Sequence, residues 1–75
     1  MTNYLNLNGN SSVSMYEIGQ DFIKVEFTDG SIYLYTYVSA GQYNIEEMKR
    51  LAKQGWGLNS FIIQNVKKGY ASKLA

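Results

Sequence analysis

The chain has 75 residues, seven Lys/Arg against six Asp/Glu for a net charge of +1, and neither cysteine nor histidine. That composition excludes a disulfide-stapled scaffold, thiolate and imidazole metal sites, and catalytic sets built on His or Cys. The length fits one domain with a small core, and the near-neutral charge argues against strong indiscriminate attraction to polyanions.

Residues 1–12 are rich in Asn and Ser, with Tyr4, Leu5 and Leu7 as the only large apolar side chains after Met1. They predict a flexible N-terminal arm; the alternation Leu5-Asn6-Leu7-Asn8 offers an edge strand instead. No basic region followed by an apolar run reads as a signal peptide, and no apolar stretch approaches the ~18 residues of a membrane span. A cytoplasmic protein without membrane contact is therefore expected.

Val13 to Ile18 reads as a first strand ending at Gly19, and Phe22 to Thr28 as a second, with Ile23, Val25 and Phe27 alternating with polar residues. Asp29-Gly30 predicts a two-residue type I′ hairpin turn, which needs positive φ at both positions. That loop pairs Phe27 with Ile32, Val25 with Leu34 and Ile23 with Thr36. The third strand, Ile32 to Val38, then turns Ile32, Leu34, Thr36 and Val38 to the core. Tyr33, Tyr35 and Tyr37 form a row on the opposite face, across from Glu26, Lys24 and Phe22.

Ser39 to Gln42 reads as a connection. From about Tyr43 the period becomes helical, with Ile45, Met48, Leu51 and Ala52 on one stripe, Asn44 and Glu47 at capping-box spacing, and Glu46–Arg50 as an i,i+4 pair. Gln54-Gly55-Trp56-Gly57 breaks that helix. A second helix runs from about Leu58 to Lys68, with Leu58, Phe61, Ile62 and Val66 buried and Gly69 as the terminating glycine. The expected architecture is α+β: a three-stranded antiparallel meander followed by two helices on its aliphatic face (β-β-β-α-α). The domain spans residues 13–70, with a C-terminal tail at 71–75.

In this order the residues resemble the KTSC domain, a short bacterial module also found at the C-terminus of some lysyl-tRNA synthetases. The resemblance covers Ser11 to Tyr70. It rests on Ser11-Ser12-Val13 with Ile18-Gly19, on Val25-Glu26-Phe27-Thr28-Asp29-Gly30 against V-x-F-x-x-G, and on Tyr33-Leu34-Tyr35 against a central Tyr-x-Tyr. Val38 with Tyr43, and Gly55 with Leu58-Asn59 and Phe61-Ile62, complete it. The chain departs from the family pattern at Ser39, where proline is common, at Lys53, near a common serine, and in a first helix about two residues longer. The resemblance implies the β-β-β-α-α fold and RNA as a ligand class.

Among residues that could carry chemistry, Glu46 and Glu47 lie about 100° apart on a helix and do not converge on one substrate. Gly55-Trp56-Gly57 lacks the Lys-Ser/Thr of a phosphate loop. No enzyme, cofactor or metal is expected. The row Tyr33, Tyr35, Tyr37 has the clearest functional reading, since aromatics two apart on a sheet can stack successive bases and Lys24 can meet a phosphate. The same row can serve a homodimer or protein partner, or be a structural surface covered by the N-terminal arm. Trp56, between two glycines and near Lys53, is either a lid on the core or an aromatic tip offered to a partner. Asn59 is expected to cap the second helix or bond the loop backbone rather than contact a ligand. Charge divides along the chain: residues 13–45 carry −3 and residues 46–75 carry +4. The basic half is either a set of solvated helix faces or a modest phosphate-facing patch.

Overall fold

The computed structural model describes residues 1–75. In chain order the elements are β1 (Thr2–Asn3), β2 (Val13–Ile18), β3 (Phe22–Phe27), β4 (Ile32–Thr36), α1 (Tyr37–Ala40), α2 (Gln42–Gln54), α3 (Leu58–Phe61), a π-helical turn (Ile62–Val66) and β5 (Ser72–Lys73). The strands form one antiparallel sheet in the order β1-β2-β3-β4-β5, with the helices packed on one face. The α+β class and the central meander are as expected, but the sheet has five strands rather than three. The two added strands come from the segments read as arm and tail. Each is two residues long, which leaves little unpaired backbone at the sheet edges.

The largest correction concerns the β3–β4 hairpin. Ile23 faces Tyr35 and Val25 faces Tyr33, one residue out of the expected register. The connection is a three-residue loop, Thr28-Asp29-Gly30: the Phe27 N–H donates to the Ser31 carbonyl (2.8 Å) and the Gly30 N–H to the Phe27 carbonyl (2.9 Å). Gly30 is left-handed (φ 88°), whereas Asp29 is not, so the paired positive φ values of a type I′ turn do not arise. This is the type I turn followed by a left-handed residue that three-residue hairpins use. The Asp29 carboxylate holds it, accepting from both the Ser31 N–H (2.9 Å) and the Ser31 hydroxyl (2.6 Å). Because side chains alternate along a strand, the one-residue difference exchanges the faces of β4 completely. Tyr33 and Tyr35 point toward the helices with Ile23 and Val25, and Ile32 and Leu34 go to the uncovered face.

On β2 a bulge at Ser14 lets Val13 pair with Phe27 and Met15 with Glu26. The extra residue changes the alternation, so Val13 is buried and Tyr16 and Ile18 still reach the same core. That core holds Val13, Ile23, Val25 and Tyr35 from the sheet, and Ile45, Met48, Leu51, Ala52, Leu58, Ile62 and Val66 from the helical layer. The α2 stripe and the buried Leu58, Ile62 and Val66 are as expected; Phe61 packs at the margin.

Strand β4 stops at Thr36, two residues early, because Thr36 and Ser39 form a reciprocal capping box that starts α1. Val38 is consequently 99% exposed rather than a core residue. The Asn44–Glu47 capping box does not form: Asn44 lies inside α2 and its amide donates to the Ala40 carbonyl at 2.8 Å. Glu46 pairs with Lys49 (2.8 Å) and Glu47 with Arg50 (2.5 Å), both at i,i+3 spacing, in place of Glu46–Arg50.

The N-terminal segment runs along this body. Tyr4 is buried and the Leu7 N–H donates to the Gly55 carbonyl at 2.8 Å. Gly55 ends α2 in the left-handed region (φ 90°), and a Cβ there would meet Leu5 Cβ at 2.8 Å. Glycine is thus required both by backbone angle and by the close approach of the segment. No helix is long and apolar enough to cross a membrane.

Candidate functional site

A groove of about 480 Å³ opens where the tip of the β3–β4 hairpin meets the π-helical turn and the C-terminal segment. Its aromatic wall consists of Phe27, Tyr33, Tyr35 and Tyr70; Lys67 and Asp29 stand at its rim. The register described above creates this wall, since it turns Tyr33 and Tyr35 to the helical side. Chain reversal at Gly69, whose N–H donates to the Val66 carbonyl (2.7 Å), carries Tyr70 across them. Tyr70 packs edge-on against Tyr33 (ring centroids 4.8 Å) and against Tyr35 (6.4 Å), and Phe27 edge-on against Tyr33 (5.8 Å). Lys73, paired with Tyr33 across the β4–β5 ladder, places its ammonium 5.9 Å from that ring's centroid.

Tyr35 is the unusual member. The residue is only 2% exposed and lines the groove, and its hydroxyl makes no hydrogen bond within the protein; because no buried side-chain oxygen or nitrogen is left unpaired, that hydroxyl keeps contact with solvent. Burial, followed by the neighbouring Tyr33 and Tyr70, pushes its phenol pKa up to about 12. It is a neutral donor and acceptor held in an apolar wall. A hydroxyl that is reached from the groove and has no partner in the protein is a position where a bound group can take the place of water. At the rim, hydrogen bonds from Ser31 hold the Asp29 carboxyl below its ordinary value, with the Lys73 charge adding to them, so Asp29 stays anionic.

The remaining residues expected at one site are dispersed. Tyr37 begins α1, away from the groove; its hydroxyl donates to Glu46 Oε2 (2.6 Å) and the Lys49 ammonium lies 5.5 Å from its ring centroid. Lys24 is on the opposite face of the sheet, opposite Leu34 rather than Tyr35, 3.7 Å from Glu17 and 5.9 Å from the Phe22 centroid. Lys53 is exposed in the last turn of α2. Trp56 is half-exposed beside a second cavity of about 320 Å³. Asn59 caps no helix, because Gly57 precedes α3 without a side-chain bond; Asn59 instead lines both cavities. The groove therefore unites Tyr33 and Tyr35 with Phe27, Lys67 and Tyr70, which the sequence reading had not placed there. A tyrosine directly after the terminating glycine was the available signal for Tyr70. No three His, Cys, Asp or Glu side chains are close enough together to hold a metal ion.

Comparison with protein-family models, with curated proteins and with solved structures finds no match to this chain.

Proposed function

We propose that this chain is a small, non-enzymatic binding module of the KTSC type whose groove holds single-stranded RNA. The observation that carries the reading is the Tyr35 hydroxyl: neutral, without a partner in the protein, and reached by solvent at the wall of an aromatic groove. A nucleobase edge takes the place of water on that hydroxyl, while the rings of Tyr33 and Tyr70 offer apolar contact to its face. Lys67 lines the groove and the Lys73 ammonium lies 5.9 Å from the centroid of the Tyr33 ring in its wall, so both can meet phosphates of a strand held there. This replaces a flat platform of three tyrosines with an open groove that takes one base at a time, and it needs few cations.

The test is fluorescence anisotropy of a labelled oligoribonucleotide over a salt series. Affinity is expected to fall with salt, with a logarithmic slope near −0.7 for each neutralised phosphate. Tyr35→Phe removes the hydroxyl alone and is expected to weaken binding about three- to tenfold, the net worth of one hydrogen bond, at an unchanged unfolding midpoint. Absence of binding at low salt, or binding indifferent to Tyr35→Phe, overturns the reading.

One observation favours a second reading, a protein-interaction or homodimerisation module. The sheet face away from the helices carries partly buried Met15, Phe22, Ile32 and Leu34, beside Glu26 and the Glu17–Lys24 pair, with no layer over them. An interface of this kind would be nearly indifferent to salt, and light scattering after size exclusion would report it directly.

A further inference from the structure

The cavity beside Trp56 is chemically unlike the aromatic groove. Its walls are amide and hydroxyl side chains, chiefly Asn6, Asn8, Asn10, Asn59 and Ser11, and no charged residue lines it. Its floor is a closed loop: Asn6, in the left-handed region (φ 53°), accepts the Ser11 N–H on Oδ1 (3.1 Å) and the Gly9 N–H on its carbonyl (2.9 Å). The side-chain amides of exposed Asn8 and Asn10 and of half-buried Asn59 face water rather than a protein partner, and each offers two donors and an acceptor to a ligand that displaces it. The two cavities meet at one wall, for Asn59 lines both, Ser11 lines the amide cavity and Ser12 lines the aromatic groove.

We propose that the amide cavity is a second subsite for the same strand, taking the nucleoside next to the one in the aromatic groove; this rests on the reading of the groove given above. Its chemistry suits the uncharged parts of a nucleotide. Amides match base edges and the ribose 2′-hydroxyl, both of which donate and accept, and the indole of Trp56 offers a stacking face. A volume of about 320 Å³ is that of a small ligand site and takes one such unit. Phosphates fall to Lys67 and Lys73 outside it. The ligand is therefore at least a dinucleotide, bound with a preference for RNA over DNA, and Asn59 contacts it at the junction.

Trp56 is the only tryptophan in the chain, so its emission reports on this cavity alone. The experiment titrates the protein with adenylate and uridylate hexamers, ribo and deoxy, at low salt, following Trp56 emission and strand anisotropy together. Ribo-hexamer binding is expected to change Trp56 emission along the anisotropy isotherm. Asn59→Ala removes a side chain without protein partners from a helical position, so the fold is kept. It is expected to weaken the ribo-hexamer about three- to tenfold and to narrow the ribo–deoxy difference. A hexamer that binds through Tyr35 while leaving Trp56 emission unchanged, with Asn59→Ala and the deoxy strand equally tight, overturns the second subsite and leaves the aromatic groove standing. No strand binding at all defeats the groove reading and this inference with it.

Discussion

The hydroxyl of Tyr4 accepts a hydrogen bond from the backbone N–H of Leu58 at 3.3 Å, a contact between residues 54 apart in sequence and buried from solvent. It satisfies a donor at the first residue of α3 that neither Gly57 nor Asn59 serves, and it ties the N-terminal segment to the wall shared by both cavities. Tyr4→Phe keeps the ring in the core but strands that donor. A loss of ~1–3 kcal/mol is expected in urea unfolding, the cost of a buried unsatisfied group. An unchanged midpoint would mean that the N–H finds another acceptor.

The exchange of faces on β4 reverses the usual expectation for a leucine and a tyrosine. Tyr35 is buried at the centre of the core and Leu34 is half-exposed on the open face. Tyr35→Ala should cost ~3–5 kcal/mol, as for other large core aromatics, and should unfold a domain of this size. Leu34→Ala should cost well under ~2 kcal/mol. Equal unfolding midpoints, or a more fragile Leu34 variant, would return the hairpin to the two-residue register.

The hairpin loop itself offers a separate check. Gly30 is left-handed with open space around it, so Gly30→Val strains the backbone without creating a clash. A destabilisation above ~1 kcal/mol is expected, and Gly30→Asn should be milder because Asn tolerates this region. Asp29→Ala should lower the midpoint as well, since it removes both bonds from Ser31. That contribution is pH-dependent in a defined direction. The folded carboxyl lies below its ordinary value of 3.8, so its stabilisation is complete above that pH and disappears as pH falls through the lower folded value. An Asp29→Ala variant should lose this part of the acid sensitivity; an identical pH profile would show that the carboxylate does not hold the loop.

Tyr35 predicts the opposite, alkaline limb. Its phenol is neutral in the folded protein up to about 12, against an ordinary value of 10.0. Between those values the unfolded chain binds fewer protons than the folded one, so stability falls as pH rises through that window. Phenolate absorbance should reveal Tyr35 ionising late, beside Tyr37, whose hydrogen bond to Glu46 also raises it, and Tyr35→Phe should remove the Tyr35 step and this part of the alkaline destabilisation. A wild-type titration in which every tyrosine ionises near 10 would place the hydroxyl in open solvent, and the groove would lose its central residue.

Local signals in the sequence were sufficient for the span of β2, the existence of β3 and β4 and of a hairpin between them, the buried stripe of α2 and its termination at Gly55. Each depends on periodicity or on the angles one residue allows, and both are properties of a few adjacent residues. The face assigned to Tyr33 and Tyr35 was not of this kind. Ile32, Leu34, Tyr33 and Tyr35 make both sides of β4 apolar enough to be buried, so alternation could not choose between them. The choice fell to a single loop residue, fixed by the bonds between Asp29 and Ser31 and by how well the tyrosine rings fill the space beneath the helices. Likewise, nothing in the spacing of Tyr33, Tyr70 and Lys67, or of Asn8 and Asn59, brings them together. Only the return of the C-terminal segment along β4 and the docking of residues 1–12 against Gly55 and Leu58 do so, and those are long-range contacts whose free energy exists only once the chain has folded.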